Sequence, residues 1–145
     1  MLRRAIVGFA GLLLTGCMSA SQPTPGTTPP SGSIQVGTGQ NFDLQAGQSA
    51  RVTRTPITVI FRSVSQDSRC PSDVTCVWAG DGAVKLGLQS TTSPSQETTL
   101  HTTLDPKTVD FSAYRVRIVS LSPYPKSGST IPAEKYVVTL HVSPP

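Results

Sequence analysis

Val84-Lys85-Leu86-Gly87-Leu88-Gln89 places an apolar side chain at every second position and a small or polar residue between. Successive side chains of an extended chain point to opposite faces, so this stretch reads as a half-buried strand. The same period of two continues outward in both directions. Upstream, Phe42 and Leu44 alternate with Asn41 and Asp43, Ala46-Gly47-Gln48 supplies a turn, and Ala50 and Val52 resume the alternation. Ile57, Val59 and Phe61 give a third apolar face, with Ile60 opposite them pointing to burial on both sides. Downstream, Thr98, Leu100, Thr102 and Leu104 form a weaker strand, and Tyr114, Val116 and Ile118 alternate with Arg115 and Arg117. The apolar phase then moves to Val119 and Leu121, as a β-bulge would produce. Tyr136, Val138, Leu140 and Val142 close the series, with Lys135, Thr139 and His141 on the other face.

No segment carries a helical stripe. Seven or eight such strands, separated by Gly, Pro and Ser clusters, predict an all-β antiparallel β-sandwich, with a small β-barrel as the alternative. Pro94, Pro106, Pro123, Pro125 and Pro132 all fall between the predicted strands, where a missing amide donor does no harm. The domain is therefore expected over residues 41–145.

Ahead of it the composition changes. From Met18 to Gln40, 16 of 23 residues are Gly, Pro, Ser or Thr, and no charge occurs before Asp43. Such a segment has too few apolar side chains to offset the entropy of ordering, so residues 17–40 are expected to form a mobile tether. Pro23, Pro25, Pro29 and Pro30 would stiffen it.

The first sixteen residues have another logic. Arg3 and Arg4 precede ten apolar residues, Ala5 to Leu14, and the small Thr15 and Gly16 follow. Charge, apolar core and small-residue exit make a secretory signal, with an apolar run about half the ~20 residues needed to span a bilayer. Leu14-Thr15-Gly16-Cys17 is similar to the lipobox of bacterial lipoproteins. That resemblance implies cleavage before Cys17, a diacylglycerol thioether on its sulfur and acylation of the new amine. Two or three acyl chains would hold the protein durably at a membrane surface. The expected address is the cell envelope, facing the periplasm or the exterior. Met18 and Ser19 stand where an aspartate often retains lipoproteins in the inner membrane, which favours the outer membrane in a two-membrane host.

Cleavage would also remove Arg3 and Arg4, leaving ten basic and eight acidic residues, with the basic ones scattered singly from Arg51 to Lys135. Nucleic acid is excluded as a partner on that ground, because such binding needs a concentrated basic face.

One stretch stands apart, Asp67-Ser68-Arg69-Cys70-Pro71-Ser72-Asp73-Val74-Thr75-Cys76-Val77-Trp78-Ala79-Gly80-Asp81-Gly82. It holds the two remaining cysteines and the only tryptophan. In an oxidising envelope the simplest state of Cys70 and Cys76 is a disulfide, worth roughly 2 kcal/mol for so small a loop. Zinc would need two more ligands than the stretch supplies, and a redox pair would normally be CxxC at a helix start. Trp78, two residues past Cys76, would share a face with the cystine if the segment were a strand. It then either packs over the disulfide or presents an aromatic platform. Gly80-Asp81-Gly82 reads as a tight turn into the next strand. The pattern D-S-R-C-P, four residues, then C-x-W-A-G resembles a motif of uncharacterised secreted and lipid-anchored bacterial proteins. The resemblance spans residues 67–82 and implies an envelope β domain without implying an activity.

Signs of catalysis are sparse. There is no Gly-x-Ser-x-Gly elbow, Walker motif or dinucleotide-binding glycine pattern. A Ser–His–Asp triad built from distant residues is compatible with the composition, but no serine stands out as a nucleophile. His101 and His141 both fall on polar strand faces and could share a metal ion only if their strands were neighbours. Asp67, Asp73 and Asp81 lie in or beside the cysteine loop but are sparser than a calcium loop requires. No cofactor is indicated. Ser122-Pro123-Tyr124-Pro125-Lys126-Ser127-Gly128 is a Pro-rich connection that would expose Tyr124. The expected function is accordingly a non-enzymatic, lipid-anchored binding module for an envelope protein or glycan, with Arg69, Trp78 and Tyr124 as contacts. A metal-handling or hydrolytic protein using His101 and His141 is the alternative from another class, and a structural spacer is the third.

Overall fold

The structure is a computed structural model, and it describes residues 32–145. The predicted leader, Cys17 and the tether up to residue 31 lie outside the described residues. The strands are β1 (Ser33–Val36), β2 (Asn41–Gln45), β3 (Ser49–Val52), β4 (Ile57–Asp67), β5 (Gly82–Ser90), β6 (Gln96–His101), β7 (Thr108–Phe111), β8 (Tyr114–Ser122) and β9 (Val137–Ser143). A single 3-10 turn at Ala133–Lys135 precedes β9. None of the described helices is long and apolar enough to cross a membrane.

Two sheets form, one in the order β1-β3-β4-β5-β6 and the other in the order β2-β9-β8-β7. All pairings are antiparallel except β1 with β3, and no barrel closes among the described residues. The protein is an all-β sandwich. Its spine is the long β4–β5 ladder, in which Val59 faces Leu88 and Phe61 faces Leu86. In the second sheet Phe42 and Ile118 both pair with Leu140, and Leu44 and Leu121 with Val138. These inward residues form one apolar cluster, and Val59, Phe61, Val84, Leu86, Leu88, Leu100, Leu44, Val116, Val138 and Leu140 are fully buried. Alternation puts them there, since each strand sends every second side chain into the space between the sheets.

Three local expectations change. First, the expected tether runs to residue 40, yet Ser33–Val36 already forms a strand along β3, with Ile34 beside Ala50 and Val36 beside Val52. Only two apolar residues mark that strand, and Gly and Ser dilute them. What orders it is the free backbone edge of β3 together with the packing of Ile34 and Val36 against the core. Second, the bulge in β8 is present, between Ile118 and Ser120, and carries Leu121 into the core. Val119, expected inward, is instead the residue the bulge expels to the surface. Third, β6 stops at His101, leaving Leu104 exposed in a connection, while the short β7 has only Val109 and Phe111 to announce it.

Candidate functional site

Three connections leave the sandwich side by side at one end. Asp67 pairs with Gly82, Ala83 with His101, and Ser122 with Val137. The loops 68–81, 102–107 and 123–136 therefore emerge together.

Arg69 holds this end in place. Its Nε donates to Asp67 Oδ1 at 2.8 Å, and its Nη2 donates to Asp67 Oδ2 at 2.7 Å and to the Pro123 carbonyl at 2.8 Å. Nη1 donates to the Leu121 carbonyl. The guanidinium also lies over the Tyr124 ring, 4.9 Å from its centroid. Only a planar fork of five donors can meet a carboxylate edge-on and reach two carbonyls of another strand at once. Arg69 is 5% exposed, so it is not the surface contact that its place in the sequence suggests. It is the bolt between the cystine loop and the Pro-rich loop. Burial by itself would raise the Asp67 carboxyl, but the Arg69 side chain and amide and the Tyr136 hydroxyl outweigh it and hold it below the usual carboxylate range. Further bonds tie the same loops: the Ser72 amide donates to the Pro125 carbonyl at 2.9 Å, and the Ser127 amide to Asp73 Oδ1 at 2.9 Å.

Cys70 and Cys76 form the disulfide, with Cα atoms 5.9 Å apart. Trp78 does not pack over it. The segment from Cys76 to Asp81 is not a strand, so strand alternation sets no direction for the indole, and Trp78 is 82% exposed beside Val77 at 90%. Tyr124 is 61% exposed on the neighbouring loop. Among the described residues the large hydrophobics that are exposed number six: Val74, Val77, Trp78, Leu104, Val119 and Tyr124. All belong to the three loops or to the adjoining bulge of β8. Tyr124, Val119, Ala79 and Thr103 share a pocket of about 140 Å³ at their meeting point. On its other side Tyr124 borders a groove of about 400 Å³ with Pro123, Ile131, Pro132, Lys126 and Lys135. The sequence singles out Trp78 and Tyr124 but not Val77, Leu104 or Val119. Val77 and Val119 carry one signal, being apolar where the period of two fails, whereas Leu104 continues the alternation of its segment and carries none.

Asp81 organises the third loop. His101 Nδ1 lies 2.6 Å from its Oδ2, while its Oδ1 accepts from the Thr103 amide at 2.9 Å, the Leu104 amide at 3.3 Å and the Thr102 hydroxyl at 3.3 Å. Burial would raise this carboxyl, but the His101 ring and the two amides prevail and bring it down to about 2. A carboxyl depressed on folding stabilises the native state above its unfolded value of 3.8, and that contribution disappears as the pH falls from there towards 2. Urea titrations at pH 5 and pH 2 should therefore show an acid loss in the native chain about 1–2 kcal/mol larger than in Asp81→Asn. An equal loss in both would refute this role.

The two histidines do not meet. His101 belongs to β6 of the first sheet with Asp81 as partner, and His141 to β9 of the second sheet, where its Nδ1 is 3.0 Å from Asn41 Oδ1. The neighbouring strands that a shared metal ion would need are therefore not present, and no cluster of three or more His, Cys, Asp or Glu side chains is placed to hold a metal among the described residues. No protein-family model, no curated protein and no solved structure matches this chain.

Proposed function

We propose that the protein is a lipid-anchored component of the bacterial cell envelope, held through Cys17, and that it acts without catalysis, by contact, through the loop end of its sandwich. The Leu14-Thr15-Gly16-Cys17 tetrad supports the anchor. The contact surface is supported by one observation above all: the exposed large hydrophobics of the described residues are gathered at one end, on loops that Arg69, Asp81 and the cystine hold rigid. Exposed apolar side chains concentrated on a stiff base are a common mark of an interaction site. Rigidity matters because little ordering entropy remains to be lost on contact. In this reading Trp78 and Tyr124 touch the envelope component, and Arg69 shapes the surface beneath them.

Mass spectrometry of the native chain should find an acylated Cys17 as its first residue; a free thiol there, or an intact leader, refutes the anchor. The contact surface is tested on Trp78, the only tryptophan of the chain. In native envelopes Trp78 should resist an aqueous indole-modifying reagent that labels the isolated protein readily, and equal labelling of both would refute the contact. Trp78→Ala should change folding stability by no more than about 0.5 kcal/mol, because the side chain is almost wholly exposed.

A further inference from the structure

We infer that what the loop end contacts is the surface of the lipid bilayer itself, with Val77 and Trp78 seated among the headgroups. The inference rests on the anchored, loop-end reading above and names its occupant. Three observations carry it.

The first is the chemistry of the cystine loop between Asp73 and Asp81. Residues 74–80, Val-Thr-Cys-Val-Trp-Ala-Gly, contain no charge, and the most exposed pair is an aliphatic residue beside an indole. Leu104 is exposed on the neighbouring loop. A specific glycan or protein contact relies on several aimed donors and acceptors at its centre. Here the side chains of residues 74–80 offer only the Thr75 hydroxyl and the indole N–H. A bilayer surface asks for none, and tryptophan favours the depth at which its ring is in an apolar medium and its N–H meets water. The loop backbone cannot go deeper, because hydrocarbon would leave its peptide groups without partners.

The second is direction. β3 runs antiparallel to β4, which ends at Asp67 at the loop end, and β1 lies parallel to β3. β1 therefore runs away from the loop end, and its first residue, Ser33, faces it. The C-terminal strand leaves the opposite way, with Ser143 paired to Arg115. An anchored N-terminus thus brings the loop end, not the far end, towards the membrane.

The third is reach. Ser33 aligns through Ser49 with Ile60, and from Ile60 to Asp67 a strand rises about 20 Å. Residues 18–32 can extend at most about 50 Å from Cys17. That length allows the tip to lie on the bilayer and keeps it from straying far.

The test uses the native acylated chain in phosphatidylethanolamine–phosphatidylglycerol vesicles and reads the fluorescence of Trp78. The expected result is a blue-shifted emission, lost when the lipid acyl chains are brominated and resistant to aqueous iodide. Val77→Asp, at a surface position that leaves the core intact, should return the emission to its water-exposed wavelength and restore iodide quenching. An emission that iodide quenches fully and bromine does not would overturn the inference. If Trp78 is shielded in native envelopes yet bare on pure lipid, a protein or glycan covers it, and this inference falls while the contact reading stands. If it is bare in both, both fall. Should Cys17 prove unmodified, the same readout on native chain added to preformed vesicles decides the tip separately from the anchor.

Discussion

Arg69→Ala should lower the folding free energy by about 3–5 kcal/mol, the range for breaking a buried ion pair by removing one partner. Both side chains of the pair are nearly sealed from water, 4% exposed for Arg69 and 9% for Asp67. The substitution strands the Asp67 carboxylate in a site where burial already opposes its charge. It also leaves the Leu121 and Pro123 carbonyls without the donor that joins them to the cystine loop. For a domain of this size the melting temperature should fall by roughly 15 °C. Arg69→Lys should recover only part of the loss, because an ammonium cannot span the carboxylate and both carbonyls. Asp67→Leu combined with Arg69→Met should cost less than Arg69→Ala alone, since no charge is then left buried. Thermal melts of the four proteins decide the matter, and an Arg69→Ala melt within a few degrees of the native one would refute the bolt. The same variant should loosen the cystine loop against the Pro-rich loop, leaving the Ser72–Pro125 and Ser127–Asp73 bonds as their remaining ties, so the shielding of Trp78 in the envelope should weaken even where the sandwich survives.

Gly80→Ala is expected to destabilise by about 3 kcal/mol, combining a left-handed backbone with an overpacked site. Gly80 has φ of +69°, and a Cβ there would stand 1.8 Å from the Ser68 carbonyl oxygen and 2.9 Å from the Arg69 Cα. Neither neighbour is a flexible side chain. The clash falls in the neck of the cystine loop, between the Ser68 amide bond to the Asp81 carbonyl at 2.7 Å and the Cys70 amide bond to the Ala79 carbonyl at 2.9 Å. Relief requires opening that neck, which draws Arg69 off its partners. Asparagine tolerates a left-handed backbone better than most residues, yet Gly80→Asn should be no better than alanine, because the Cβ itself is excluded. Urea midpoints of the two variants test this, and an asparagine variant as stable as the native chain would show that only the dihedral mattered.

Strands whose side chains alternate over six or more residues are legible in the amino-acid order alone, because burial on one face selects the residue types directly. Val84 to Gln89 and Tyr136 to Val142 are the plainest cases, and both lie in or beside the strands they predict. The pairing of Cys70 with Cys76 is legible for the same reason: two cysteines so close leave little choice of geometry. β1 is not, since two apolar residues in a Gly/Pro/Ser/Thr-rich stretch give no sign of the β3 edge and the core against which they pack. Arg69 illustrates the opposite failure. An arginine in a loop looks like a surface cation, and nothing local reveals that residues 52 and 54 positions away, Leu121 and Pro123, will offer it their carbonyls.

Local order therefore settles the class of this protein, its β character and its cystine, because alternation and short cysteine spacing act between neighbours in the chain. Only the tertiary structure decides which loops share an end, that Arg69 is buried while Trp78 and Val77 are exposed, and that His101 and His141 lie on separate sheets. Those outcomes depend on how strands from distant parts of the chain are ordered within two sheets, and a period of two carries no information about that order.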